Sequence, residues 1–169
     1  MFSIGEKIVY GSEGVFCVAE YTSSPVDKND TRQFYLLKPV YGPECNLIIT
    51  PVDNINVTMR RVMSREDALG FIETIPYVEL LSVEKEKNRR EMYRKTLVGG
   101  SREELVAIIK TVRCRREECV RAKKRLAESD NDYEKKAKFC LYGELAVSLG
   151  IDFNCVEQKI DEILSAQTV

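Results

Sequence analysis

The chain has 169 residues, of which 44% are hydrophobic and 31% charged, and its formal net charge is −1. This composition is typical of a globular protein long enough to bury a substantial core. The sequence contains no histidine, which excludes the Ser-His-Asp and Cys-His systems of nucleophilic catalysis. It also lacks a phosphate-binding glycine loop and any Cys-x-x-Cys pair. We therefore expect no enzyme, no small-molecule substrate, no cofactor and no metal site.

The amino terminus reads MFSIGEKIVYG, without a basic leader and a following apolar run. No stretch of the sequence approaches the roughly 18 uninterrupted apolar residues of a membrane-spanning helix. A cytoplasmic protein without a membrane partner is therefore expected. Six cysteines lie scattered along the chain. This pattern favours small buried side chains in a reducing compartment over a disulfide scaffold.

The first 63 residues are predicted to form short strands. Four runs are rich in β-branched and aromatic residues, and residues 57–63 can supply one more strand. The four runs are residues 7–10, 15–19, 34–37 and 47–50. Turn formers separate them, at residues 11–14, 23–25, 28–30 and 41–43. Short strands at this spacing favour a small, bent antiparallel sheet or barrel, because closure hides strand edges.

From residue 64 onward the hydrophobic period is that of helices. Ser64 is the predicted N-cap of a short first helix that Pro76 ends. A second helix is predicted over about residues 78–97, stopping at Gly99 and Gly100, where glycine tolerates the left-handed cap conformation.

Three further helices complete the predicted chain. Ser101 and Glu104 form a capping box that opens the third helix. Its apolar stripe is predicted to comprise Leu105, Ile108, Ile109, Val112, Cys119, Val120 and Leu126. A turn at residues 129–131 is expected to lead into a fourth helix that ends at Gly150, and Asp152 is expected to cap a fifth.

Strands followed by helices predict an α+β fold with two domains rather than one interleaved sheet. Residues 1–63 are predicted to form a small β-barrel, and residues 64–169 an all-helical domain of about five helices.

Positive charge is concentrated in the second and third predicted helices. Residues 85–125 contain 15 basic and 6 acidic residues, whereas residues 126–169 contain 4 basic and 9 acidic ones. Composition leaves two interpretations open. The surplus can belong to a solvated helix face with pairs such as Glu91 and Lys95. It can also bind an anionic partner, for which a phosphate backbone is the usual occupant.

An aromatic ring accompanies this charge. Tyr93 lies one helical turn from Arg89 and Arg90, whose guanidinium groups can enter a narrow minor groove. Charge alone does not separate a DNA partner from an acidic protein.

Several short motifs follow one another along the chain. The first is Phe2-x-x-Gly5-Glu6-x-x-Val9-Tyr10-x-x-x-Gly14-Val15. Then follow Tyr35-Leu36-Leu37-Lys38, Ile48-Ile49-Thr50-Pro51-x-x-Asn54, Met59-Arg60-x-Val62, Tyr93-Arg94-x-x-Leu97 and Gly143-Glu144-Leu145-Ala146. Their order and spacing resemble the CarD/CdnL family of bacterial transcription regulators. The opening motif is also similar to the polymerase-interacting domain of the transcription-repair coupling factor.

The resemblance implies a Tudor-like or SH3-like barrel that docks on the β subunit of RNA polymerase by strand addition. It implies a helical domain that contacts promoter DNA and modulates the stability of the open complex, and hence a nucleoid-associated location. The indicated polymerase-binding residues are Leu47, Ile48, Ile49, Thr50 and Pro51. With the charge pattern, the indicated DNA-binding residues are Arg89, Arg90, Tyr93, Arg94, Lys124 and Arg125. No residue is predicted to be catalytic.

The sequence departs from the family pattern at two sites. Relatives usually carry a minor-groove tryptophan where this chain has Arg89, and an arginine reads the groove without unstacking a base step. Arginines that help relatives to hold polymerase correspond here to Ser24 and Ile49. The resemblance therefore implies strand pairing as the mode of polymerase binding, rather than particular side chains.

Two alternatives remain open. The first is an adaptor that binds polymerase or another factor through its barrel while its basic helices meet an acidic protein. The second is an enzyme that uses carboxylates such as Glu103 and Glu104, although a capping box already explains these residues.

Overall fold

The computed structural model describes residues 1–25, 30–82 and 88–165. The chain divides into two compact units, Met1–Val62 and Met63–Val169. The domain boundary expected from the sequence falls between residues 63 and 64. The predicted turn at residues 28–30 lies partly outside the described residues.

A five-stranded antiparallel sheet forms the first unit. Its strands are β1 (Lys7–Tyr10), β2 (Val15–Thr22), β3 (Phe34–Pro39), β4 (Ile48–Pro51) and β5 (Met59–Arg61). The order in the sheet is β4-β3-β2-β1-β5, so β5 returns to pair with β1. β-Branched and aromatic residues suit this half-buried pleated surface, and the predicted strands are confirmed to within a few residues.

The core of this unit lies on one face of the sheet. It consists of Ile8, Tyr10, Phe16, Val18, Tyr35 and Leu37. The amino terminus is fastened to the same core, because the Phe2 N–H donates to Tyr35 Oη at 2.7 Å and Tyr21 Oη donates to the Phe2 carbonyl at 2.8 Å. The opening motif thus contributes to packing as well as to strand β1.

The expected closed barrel is not formed, since β4 and β5 remain the two edges of the sheet. The sheet is bent enough for a side chain of β1 to reach β4, where Tyr10 Oη donates to Thr50 Oγ1 at 3.4 Å. A bulge between Val18 and Glu20 in β2 adds to this bend, because an extra residue increases local twist. Side-chain contact thus bridges two strands that are not neighbours in the sheet.

Five α-helices lie in the described part of the second unit: α1 (Arg65–Thr74), α2 (Arg89–Gly99), α3 (Arg102–Arg121), α4 (Glu128–Leu149) and α5 (Phe153–Ser165). Three predicted caps are confirmed. Ser64 accepts from the Asp67 N–H, Ser101 and Glu104 form the reciprocal capping box, and Asp152 accepts from the Asn154 N–H.

The predicted start of the second helix is wrong. Residues 78–82 are not helical, α2 begins at Arg89, and residues 83–87 lie outside the described residues. Tertiary hydrogen bonds take the backbone groups that a helix would need: the Val78 carbonyl accepts from Lys110 Nζ and the Leu81 N–H donates to Thr111 Oγ1. The hydrophobic period of this segment therefore reflects packing on α3.

Two details of α3 and α4 also differ from expectation. The apolar stripe of α3 stops at Val112, because Val120 is 72% exposed and the helix ends at Arg121. The predicted turn at residues 129–131 is instead the first turn of α4. In the described part of the chain no single helix has the length and apolar content of a membrane span; α4 and α5 reach them only together, across a bend of 109°.

The carboxyl end of α3 contains a strained residue. Lys123 has φ 53°, the left-handed conformation in which glycine is normally favoured. The Lys123 N–H donates to the Val120 carbonyl and the Lys124 N–H to the Cys119 carbonyl, so the turn is a Schellman motif with lysine in the glycine position.

We expect Lys123→Gly to raise the free energy of unfolding by about 1 kcal/mol, because glycine adopts this conformation without a Cβ clash. Urea denaturation followed by circular dichroism measures the change. Lys124→Gly is the matched control, since it removes the same charge one residue later, where φ is not positive. A gain of equal size in both variants would contradict the strain explanation.

Candidate nucleic-acid and protein interfaces

Arg89 occupies a buried position at the start of α2. Its exposed fraction is 6%, and its Nε lies 2.8 Å from Oδ1 of Asp130, which is fully buried in α4. Arg115 on α3 approaches the other carboxylate oxygen, with Nε 3.3 Å from Oδ2. Asp130 therefore bridges two guanidinium groups, and together these residues fasten α2 to α3 and α4.

Tyr93 lies on the same inner face of α2. It is fully buried and its ring centroid is 5.5 Å from that of Tyr133 on α4. With Arg89 and Leu97 it forms the face that packs into the helical unit. The expectation that Arg89 and Tyr93 contact DNA is therefore wrong for this conformation, because neither side chain reaches the surface.

The outer face of α2 carries the remaining predicted residues. Arg90, Arg94 and Lys95 are exposed. Glu91 pairs with Arg94 at 3.2 Å and with Lys95 at 3.5 Å, and its hydrogen bond to Arg94 is the main reason why its pKa is lowered. These exposed pairs contribute little stability and are readily exchanged for a phosphate.

Much of the positive charge on α3 is neutralised within the helical unit. Arg113 pairs with Asp161 on α5 at 3.2 Å. Arg116 pairs with Glu134 on α4, whose carboxylate raises the Arg116 pKa, and it also donates to Asn131 Oδ1 at 3.2 Å. Of the nine acidic residues in 126–169, all of which the structure describes, four thus pair with arginines of α3: Asp130, Glu134, Glu144 and Asp161.

A second exposed group of basic residues follows the end of α3. We call it the basic turn: Arg121, Lys123, Lys124 and Arg125, all exposed. Within the described ranges, none of these four side chains forms an ion pair with a carboxylate, and Arg121 donates only a long hydrogen bond to the Glu117 carbonyl. This turn, and not the middle of α3, retains the uncompensated charge.

The basic turn lies towards the end of the helical unit at which α2 begins. Residues 100 and 101 join α2 to α3, and Arg89 at the start of α2 meets Arg115 near the end of α3 through Asp130. The two helices are therefore antiparallel. The basic turn begins about 9 Å of helical rise beyond Arg115, on the side where α2 starts.

Strand β4 holds the predicted polymerase-binding residues at an edge of the sheet. The Val52 N–H donates to the Gln33 carbonyl, and Thr50 lies opposite Tyr35. Because ladder bonds alternate along an antiparallel pair, the backbone groups of Ile49 point away from β3. Pro51 has no N–H to offer, which suits an edge position.

The side chains of this segment play unequal parts. Leu47 and Ile49 are exposed apolar residues beside the free edge. Thr50 is buried, and its Oγ1 accepts from Asn54 Nδ2 at 2.8 Å. Thr50 therefore supports the bend of the sheet, while Ile49 supplies the backbone groups that can receive another strand.

Three buried carboxylates of α4 form ion pairs that were missed by sequence reasoning: Asp130, Glu134 and Glu144. Glu144 is fully buried, and it accepts from Arg102 at 2.8 Å and from the Met63 N–H at 3.2 Å. All three carboxylates belong to a stripe of α4 with alternating spacings of four and three residues: Asp130, Glu134, Ala137, Leu141 and Glu144. These ion pairs could have been predicted from the acidic residues on the inward-facing stripe of α4, because the preceding helix α3 is basic.

The cysteines differ from expectation in their burial. None of the six forms a disulfide, but only Cys140 is buried, and Cys45 and Cys155 are exposed. Partial burial and the neighbouring Glu118 raise the pKa of the Cys114 thiol, which makes it less nucleophilic. Among the described residues no group of three or more cysteines and carboxylates is placed to hold a metal ion.

No family model matches this sequence, and no curated protein matches it.

We expect Asp130→Ala to lower the free energy of unfolding by about 3–5 kcal/mol, because it leaves the buried Arg89 guanidinium without this carboxylate. Asp132→Ala is the matched control, since Asp132 is an exposed aspartate two residues later on the same helix. Equal denaturation midpoints for the two variants would contradict the role assigned to Asp130.

Proposed function

We propose that this protein is a bacterial transcription regulator that binds the β subunit of RNA polymerase through strand β4 and contacts promoter DNA through its basic helical unit. The observation that carries the proposal is that one unit has an open strand edge and the other has exposed basic residues. The motif resemblance to the CarD/CdnL family supplies the identity of the partners.

The polymerase contact is assigned to the backbone of β4. An incoming strand can bond to the N–H and carbonyl groups of Ile49, while Leu47 and Ile49 provide apolar surface beside it. The bent five-stranded sheet, with its Tyr10–Thr50 contact, supports a Tudor-like identity for this unit. Main-chain pairing needs no arginine at positions 24 and 49.

The DNA contact is assigned to exposed cations alone. Arg90 and Arg94 on α2 and Lys124 and Arg125 in the basic turn remain candidates, joined by Lys95, Arg121 and Lys123. Because Arg89 and Tyr93 are buried, we infer binding to the phosphate backbone without a side chain wedged into the minor groove. Such contacts position a protein on a duplex and depend strongly on salt.

We expect replacement of Arg90, Arg94, Lys124 and Arg125 by alanine to weaken binding to a promoter complex and to flatten its salt dependence. Four lost phosphate contacts reduce the slope of log K against log salt by about 3.6. Fluorescence anisotropy at several salt concentrations measures both effects.

The control for this variant is Lys135→Ala with Lys136→Ala, which removes exposed charge from α4 and leaves both basic groups intact. The control is expected to keep a salt slope close to that of the parent protein. An unchanged slope in the quadruple variant, with polymerase binding intact, would favour the adaptor, for which the burial of Arg89 and Tyr93 is the supporting observation.

We expect Ile49→Pro to weaken binding to the polymerase β subunit at least about tenfold, because proline removes the outward N–H of the edge while leaving the ladder to β3 in place. Ile49→Ala keeps that N–H and removes only the side chain. Surface plasmon resonance with both variants separates main-chain from side-chain contributions, and thermal melting checks that each folds. Equal affinity of the proline variant and the parent protein would refute strand addition at β4.

A further inference from the structure

An exposed tyrosine stands on a rigid support after α1. Tyr77 ends a short 3₁₀ helix, Ile75–Tyr77, and is 84% exposed. The ammonium group of Lys110 donates to the carbonyls of Ile75, Pro76 and Val78, at 3.5, 2.7 and 2.6 Å. These bonds hold the backbone on both sides of Tyr77.

Other contacts strengthen this support. Ile75 is fully buried beneath the turn, and Pro76 fixes its own backbone φ. Leu81 is tied to α3 through Thr111, and Leu80 beside it exposes 49% of its surface. The aromatic ring of Tyr77 is thus presented with little backbone freedom left to lose on binding. Such aromatic anchors dominate the binding energy of protein interfaces.

The charge around Tyr77 indicates which kind of partner fits. Glu73 and Glu79, four residues before and two residues after Tyr77, are exposed. The Lys110 ammonium at this turn is directed to backbone carbonyls. Residues 64–82 contain four acidic residues and one basic residue. The basic one, Arg65, is directed to the Leu149 carbonyl at 2.8 Å. Phosphate groups are repelled by such a surface, whereas a protein surface with an apolar pocket and a basic rim complements it.

We infer that Tyr77 and Leu80 form a second protein contact on RNA polymerase, separate from the strand edge of β4. The inference rests on the proposed function. Polymerase surfaces along the DNA path must be basic to hold phosphates, and an acidic segment with a rigid tyrosine suits such a surface. A contact made by two residues has low affinity by itself. Binding at β4 raises the effective concentration of these two residues at the polymerase surface, so that their contact adds to the total affinity.

The test measures the affinity of the full chain for core polymerase without DNA. Tyr77→Ser with Leu80→Ser is expected to weaken binding about tenfold, mainly through faster dissociation. Glu73→Gln with Glu79→Gln is expected to weaken it less and to reduce its salt dependence. Val120→Ser is the control, since Val120 is 72% exposed on the part of α3 far from Lys110. All replaced side chains are exposed, and thermal melting checks that the fold is kept.

The outcomes separate this inference from the proposed function. If the parent protein binds polymerase and the Tyr77 and Leu80 variant binds within twofold of it, the inference is overturned and strand addition stands. If the parent protein does not bind polymerase at all, both fall. A change in self-association on sedimentation, or weaker binding to DNA alone, would instead assign the patch to a second copy or to nucleic acid and would overturn the polymerase contact.

Discussion

The buried carboxylate of Asp130 determines how the helical unit presents its charge. An isolated carboxylate in an apolar core costs several kcal/mol, and the cost is offset only if cations and hydrogen bonds surround it. Asp130 takes one guanidinium from α2 and one from α3, so it fixes the rotation of α2 about its axis. With Arg89 turned inward, Tyr93 and Leu97 must also face the core. Arg90 and Arg94 are then left on the outside, and the outer surface of α2 follows from one interaction.

The same principle divides the basic residues of α3. Those that face α4 and α5 find carboxylates, as Arg113 does with Asp161 and Arg116 with Glu134. In the part of the chain that the structure describes, those beyond the start of α4 have no acidic helix opposite them, and the basic turn retains its charge. Lys123 keeps a side chain in a conformation that favours glycine. The basic residues of α3 that pair with carboxylates therefore have a structural role. The basic turn that follows them is not neutralised, and of these two groups only this turn is suited to bind an external anion.

Local features of the fold could be predicted from the sequence, whereas the features that depend on distant partners could not. The capping box at Ser101 and the strand runs are set by neighbouring residues, and they are confirmed. The inward direction of Arg89 depends on Asp130, 41 residues away, and a charge count along the chain treats the two as separate surfaces. Likewise, residues 78–82 have a helical hydrophobic period but give their backbone groups to Lys110 and Thr111. In both cases tertiary contacts, and not the local sequence, determine the structure.

The proposed function divides its binding energy between two kinds of interaction with different dependence on solvent. Strand addition at Ile49 uses backbone groups and apolar side chains, which are insensitive to ionic strength, so it suits a permanent attachment to a large partner. Phosphate contacts through exposed lysines and arginines weaken steeply with salt and carry no sequence information. Under this proposal, the chain takes its position on a promoter from the polymerase that holds it. Because Tyr93 is buried, any effect of the protein on melted DNA would come from charge near the duplex, not from insertion of a side chain between bases.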